Sequence, residues 1–216
     1  MITPLNQVPE RNHWYAFEER LWSQRFSRIM GLDEAGRGCL AGPVVAAGVI
    51  IRPDERLLPE INDSKKLSHR ERVSLSINIK ERSLVWAVAW CDNREIDRLN
   101  ILKASLHAML RCAEKVEPPP DYLLIDGNQP LPSSLIPQQP VIGGDALSAS
   151  IAAASILAKV HRDEIMCSLA TEYPQYGWNN NKGYPTKMHY RALEVYGITP
   201  YHRNSFRLGT TLVHQK

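Results

Sequence analysis

Asp33 and Glu34 stand side by side where an apolar run, Ile29-Met30-Gly31-Leu32, gives way to a glycine-bearing stretch. Two further aspartates, Asp126 and Asp145, end apolar stretches of the same kind. Adjacent carboxylates at a strand end repel one another and cost free energy unless a cation or hydrogen-bond donors neutralise them. Taken alone, one Asp-Glu pair reads equally well as a solvated acidic turn. Gly36-Arg37-Gly38 directly after it argues for a site, because a fixed cation between two residues without Cβ lets backbone approach a ligand closely. Four carboxylates with no His or Cys among them favour Mg²⁺ or Mn²⁺ over zinc. Two such ions about 3.5–4 Å apart clamp a phosphodiester, one activating the attacking water and the other stabilising the leaving oxygen. A glycosidase pair is the weaker alternative, since that chemistry needs two carboxyls rather than four and no lysine-rich loop.

Three other stretches could meet a ligand. Ser64, Lys65 and Lys66 lie in a loop and offer a phosphate contact, or form a solvated basic turn. Lys159, His161, Arg162 and Asp163 give a long helix a basic face, for which solvation is the commoner use and a phosphate backbone the other. Tyr173 to Thr186 is rich in aromatics, amides and glycine, with Lys182 among them, as a nucleotide-stacking surface would need.

The acids must be carried by strands. Ile29 to Ile51 reads as a buried strand, a tight turn and a second strand returning beside the first. Before it, residues 1–12 form an irregular arm, and His13 to Arg28 reads as a helix with Trp14, Phe17, Leu21 and Trp22 on its apolar face. Ser68 caps a helix running to about Ser83, and Leu84 to Cys91 follows as a third strand. A short helix is expected over Arg94–Leu99 and a longer one over Asn100–Val116, buried through Leu102, Leu106, Met109 and Leu110 and ended by Pro118-Pro119-Pro120. Asp121 to Asp126 repeats the opening theme, and in an open α/β sheet neighbouring strands would deliver Asp126 next to Asp33 and Glu34. A proline-rich loop spans residues 129–140, and Val141 to Asp145 is a third apolar stretch ending in an acid. Ala146 to Ala170 is the strongest helix; its alanines let it sit close to the sheet and hold Asp145 near its N-terminus. A last helix covers Lys187–Tyr196.

The chain of 216 residues can bury a substantial core, and its organisation divides into residues 1–28 (arm and helix), 29–172 (catalytic core) and 173–216 (substrate-binding segment of the same unit). With 44% hydrophobic and 23% charged residues and no run of roughly 20 apolar residues, no membrane span is expected. The N-terminus lacks a basic region followed by an apolar one, so a cytoplasmic protein is expected. Cys39, Cys91, Cys112 and Cys167 are scattered without metal spacing, and the net charge of +3 is too small to indicate nucleic acid by itself.

Taken together, the motifs resemble bacterial ribonuclease HII, the type 2 ribonuclease H family, from about Ile29 to Phe206. They run in the family's order: Asp-Glu-Ala-Gly-Arg-Gly with Leu-Ala-Gly-Pro, Asn-Asp-Ser-Lys-Lys-Leu, Asn-Ile-Leu, Leu-Ile-Asp-Gly-Asn, Gly-Asp, Ala-Ala-Ser-Ile-Leu-Ala-Lys-Val-x-Arg-Asp, Tyr-Gly-Trp with Lys-Gly-Tyr-Pro-Thr, and His-Arg-x-Ser-Phe. The resemblance implies an α/β, ribonuclease H-like fold: a central mixed β-sheet flanked by helices, with a small helical C-terminal part. It implies a monomer that cleaves the RNA strand of RNA/DNA hybrids, and 5′ of ribonucleotides embedded in duplex DNA, leaving 3′-hydroxyl and 5′-phosphate ends. Removal of RNA primers and misincorporated ribonucleotides would be its role. Asp33, Glu34, Asp126 and Asp145 match the acids that bind two Mn²⁺ or Mg²⁺ ions. Gly36, Arg37 and Gly38 match the loop that reads a ribose 2′-hydroxyl, the group that tells RNA from DNA at one site. Tyr184 matches the tyrosine packed on the following deoxyribose, and Ser64 and Lys65 match phosphate contacts.

Two positions depart from the family. Cys39 replaces the usual proline, which should alter only loop rigidity, and Gly144 replaces the usual lysine, which removes a cation near the metals. The sister type, ribonuclease HIII, usually carries a large extra N-terminal domain, whereas 32 residues precede Asp33 here. An inactive binding relative is disfavoured because all four acids are present. Leu208 to Lys216 lacks a clear clamp-binding pattern of Gln-x-x-hydrophobic-aromatic.

Overall fold

The computed structural model describes residues 14–53 and 68–209, so Ser64 and Lys65 lie outside the described residues. The chain runs α1 (Ala16–Ser23), β1 (Ile29–Ala35), β2 (Val44–Ile50), α2 (His69–Arg82), β3 (Val85–Cys91), α3 (Asn93–Leu99), α4 (Ile101–Glu114), β4 (Tyr122–Asp126), β5 (Gln138–Val141), α5 (Ala149–Glu172), α6 (Trp178–Asn181) and α7 (Lys187–Tyr196). Among the described residues five strands form one mixed sheet in the order β3-β2-β1-β4-β5. β1 pairs antiparallel with β2 and parallel with β4, as a hairpin followed by a crossover requires.

Alternation along β1 assigns its two faces. Met30 and Leu32 enter a core with Ala104, Ala108 and Met109 of α4, whereas Gly31 and Asp33 face α5. A Cβ at Gly31 would overlap the Ser150–Ile151 backbone, so glycine here permits the close approach of helix to sheet. The small side chains of Ala149, Ala152, Ala153 and Ala154 complete that contact.

α2 begins at Ser68, whose side chain accepts from Glu71 N–H while Glu71 reaches back to Ser68 N–H, a reciprocal cap. The first helix is shorter than the expected His13–Arg28: the chain reverses at Arg25, which takes φ 72°. Phe17 and Leu21 are buried as expected. In α4 the inward face is Ala104, Ser105, Ala108, Met109, Cys112 and Ala113, and Leu102 is exposed rather than buried. The larger side chains misplaced that face because packing against β2 and β3 favours small ones. The proline-rich loop ends inside a strand, β5, which admits Pro140 because it is an edge strand. All four cysteines are free. Among the described residues no helix is long and apolar enough to cross a membrane.

Candidate active site

β1 and β4 run parallel with Leu32 beside Ile125, so the next residues, Asp33 and Asp126, emerge side by side at the carboxyl ends. Asp126 in turn pairs with Val141 of β5, and the chain then makes a 3-10 turn, Gly144–Ala146, that carries Asp145. Gly144 N–H donates to Asp126 Oδ1 at 2.7 Å, tying the turn that bears the fourth acid to the third. A Cβ at Gly144 would press on Ile151, so the departure from lysine goes with tight local packing.

Asp33 is buried and accepts from the Glu34 N–H at 2.7 Å and from the Ser155 hydroxyl on α5. Burial, then the charges of Glu34 and Asp126, push its carboxyl well above the usual carboxylate range. Glu34 is also raised, chiefly by burial, although Arg37 opposes this with a 3.1 Å ion pair. Three oxygen-donor groups thus meet in low dielectric and disfavour one another's charge. That donor set fits hard divalent cations. Among the described residues no three acidic, His or Cys side chains enclose a cation as they stand. Glu34 is engaged by Arg37 and Asp126 by Gly144, which is what like charges do when only local donors are at hand.

Beside the acids opens a cavity of about 450 Å³ lined by Glu34, Gly36, Arg37, Gly38, Lys159 and Tyr184 among others. The structure therefore gathers the glycine loop and Tyr184 at one acid, although 147 positions separate Arg37 from Tyr184 in sequence. Tyr184 is 38% exposed; Lys159 Nζ lies 5.5 Å and Arg162 Cζ 5.7 Å from its ring centre. Its hydroxyl donates to Cys39. Cys39 is fully buried, so replacing proline there does more than change loop rigidity: it gives Tyr184 a partner.

Two buried arginines, to which the motifs assign no role, hold the glycine loop. Arg203 donates to the carbonyls of Gly36 (2.8 Å), Arg37 (2.9 Å), Gly42 (3.0 Å) and Pro43 (3.2 Å). Arg162 donates to Pro43 (3.1 Å), Ala41 (3.2 Å) and Lys182 (2.9 Å) carbonyls, joining the loop to the C-terminal segment. Burial pushes the Arg203 guanidinium down to about 10, which still leaves it charged at neutral pH. The expected solvated face on α5 is thereby corrected: Arg162 and Asp163 are buried, and Lys159 lines the cavity and pairs with Asp163 at 2.7 Å. The sequence signal was helical phase: Arg162 follows Ala158 and precedes Met166 by four residues each, on the buried face of α5. Arg203→Met keeps chain length; Gly36 still accepts from Cys39 N–H and Pro43 from Arg162, but the Arg37 and Gly42 carbonyls lose their Arg203 donor at about 1–3 kcal/mol each. We expect a loss of about 3 kcal/mol, read from the urea midpoint at unchanged slope, with cleavage falling as the loop loosens.

The family model for ribonuclease HII matches residues 30–209. The chain is 50% identical over 194 residues to ribonuclease HII of Salinibacter ruber, covering 88% of this chain and 96% of that one. It is 52% identical over 193 residues to ribonuclease HII of Moorella thermoacetica, covering 89% and 93%. The crystal structure of ribonuclease H2 from Pyrococcus horikoshii OT3 superposes with a TM-score of 0.71 at 24% identity, covering 83% of this chain and 94% of that one, and shares its ribonuclease H-like fold.

Proposed function

Since the chain belongs to the ribonuclease HII family and is a ribonuclease H, we propose that it cuts the RNA strand of RNA/DNA hybrids, and 5′ of single ribonucleotides in duplex DNA, at Asp33, Glu34, Asp126 and Asp145. The observation that carries this reading is the cavity in which Glu34, the Gly36–Gly38 backbone and Tyr184 face one substrate volume. A ribose whose 2′-hydroxyl meets the glycine loop would set its 3′ or 5′ phosphate against the acids beside it. Gly36 takes φ 95°, and a Cβ there would overlap Arg162, so the loop can expose its backbone only with glycine. Tyr184, flanked by two cations, presents a ring face to the next sugar, where an added hydroxyl would be crowded. Arg37, half exposed, and Lys159 lie where a phosphate would pass; Ser64 and Lys65 are proposed as further phosphate contacts.

Asp33, Glu34 and Asp126, with Asp145 beside them, would hold two Mg²⁺ or Mn²⁺ ions. When bound, these supply activation of the attacking water and stabilisation of the leaving oxygen, giving 3′-hydroxyl and 5′-phosphate ends. Arg37 favours the charged form of Glu34 against the burial that raises it, and Ser155 donates to the Asp33 carboxyl. We place the enzyme in the cytoplasm as a monomer acting in primer and ribonucleotide removal. Chelation tests the reading: EDTA is expected to stop cleavage without changing the circular dichroism spectrum, because the acids sit on a preformed sheet edge. Cleavage persisting in EDTA would refute the metal assignment, and loss of the spectrum would make the metal structural.

A further inference from the structure

The C-terminal segment contains a buried polar chain that the proposed mechanism does not use. His189 and His202 are fully buried, with their Nε2 atoms 3.1 Å apart. The proton positions follow from their partners. Thr199 N–H can only donate, and it meets His202 Nδ1 at 2.9 Å, so that nitrogen accepts and His202 carries its proton on Nε2. His202 Nε2–H and the Trp178 indole N–H, 3.2 Å away, both point at His189 Nε2, which must accept. His189 therefore carries its proton on Nδ1, and Nδ1 lies 3.0 Å from the Tyr184 carbonyl oxygen, which can only accept.

We propose that His189, locked into this tautomer by His202 and Trp178, is a positioning residue that sets the angle of Tyr184 against the substrate sugar and thereby the enzyme's discrimination at ribo-to-deoxyribo junctions.

This rests on the reading of Tyr184 as a substrate contact. Burial keeps both rings neutral, with His202 lowered to about 4, so the chain is intact throughout the physiological range. Its reach to the cavity is short. The Tyr184 carbonyl also accepts from Thr186 N–H at 2.8 Å, and Thr186 caps α7 by accepting from His189 N–H. The backbone around Tyr184 is therefore held from α7, while its ring is held by Cys39, Lys159 and Arg162. Gly183 at φ 82° sits against the Ala41 carbonyl, so a rotation of residue 184 has no slack on its N-terminal side. A hydrogen bond at the carbonyl thus fixes the direction in which the ring leaves the backbone.

Two substitutions separate this from a merely structural role. His189→Asn places an amide near the Nδ1 position and can still donate to Tyr184, but it leaves His202 and Trp178 without an acceptor. His189→Gln places its amide oxygen near the Nε2 position and satisfies those two donors, but it abandons Tyr184. The readout is the ratio of kcat/KM on a duplex with one embedded ribonucleotide to that on a continuous RNA/DNA hybrid, measured below both melting temperatures, with Tyr184→Ala alongside. We expect His189→Gln to lower the ratio about three- to tenfold, the worth of one hydrogen bond. His189→Asn should keep the wild-type ratio despite the lower melting temperature. Ratios that follow melting temperature in both variants would overturn the proposal. A ratio unchanged in Tyr184→Ala would instead refute the reading of Tyr184, and the proposal with it. A selective loss in Tyr184→Ala with none in His189→Gln would refute the proposal alone. If His189→Gln does not fold, the ¹⁵N shifts of the two imidazoles in the unaltered chain decide: His189 protonated on Nδ1 and His202 on Nε2 is the expected result, and the opposite tautomer at His189 overturns the proposal.

Discussion

Asp33→Asn is expected to lower cleavage by at least about 10³-fold while raising the melting temperature of the metal-free protein. The activity loss follows from removing one member of a group of carboxylates that act as a unit. The stability gain follows from the same environment: Asp33 is buried beside Glu34 and Asp126, and its carboxyl is held well above its usual range at a free-energy cost to the folded state. An amide of nearly equal volume removes that charge and can still accept from Glu34 N–H. Each kcal/mol recovered should raise the midpoint by about 2–4 °C for a chain of this size. Activity assays and melting curves in EDTA check both halves. A lowered midpoint together with lost activity would make Asp33 a structural residue. Asp126→Asn should lose activity similarly, and hybrid binding should survive in both because the phosphate contacts remain.

Tyr184→Ala is expected to cost most on a duplex with one embedded ribonucleotide, where the sugar following the cleaved bond has to be recognised. A selective loss of about tenfold or more in kcat/KM relative to a continuous hybrid is the expected result, since misplacing a substrate by about 1 Å can cost roughly 10²-fold. Tyr184→Phe should be milder. Its ring keeps the flanking cations, and what disappears is the hydroxyl's bond to buried Cys39, worth about 0.5–1.5 kcal/mol. Equal losses on both substrates with a lowered melting temperature would mean that Tyr184 only packs the C-terminal segment onto the sheet.

The acids were legible because strand periodicity is local. An apolar run interrupted by Asp33-Glu34, and a second one closed by Asp126, locate strand ends without knowledge of the fold, and the parallel register of Leu32 with Ile125 then joins them. The cap at Ser68 was legible for the same reason: its side chain meets the N–H three residues on. What could not be read was any partnership set by burial across long separations. Arg162 reads as part of a solvated basic face and Arg203 only as a member of a motif, yet they bind backbone carbonyls 119 to 167 residues away, which no periodicity encodes. Leu102 misled because helix phase in α4 is fixed by the small residues that let it lie on β2 and β3. Asp145 was expected to end an apolar stretch; it lies beyond β5 on a turn whose position is set by one bond to Asp126.

On the proposed function, the four acids and the glycine loop act together, recognising a ribose and cutting beside it. Its most direct test is an end-labelled DNA duplex with a single ribonucleotide, incubated with Mn²⁺ or Mg²⁺ and mapped at nucleotide resolution beside the same duplex made wholly of DNA. One cut is expected on the 5′ side of the ribonucleotide, with a 3′-hydroxyl end, and none in the all-DNA duplex. Comparable cutting of the all-DNA duplex, or cuts placed without regard to the ribonucleotide, would contradict it.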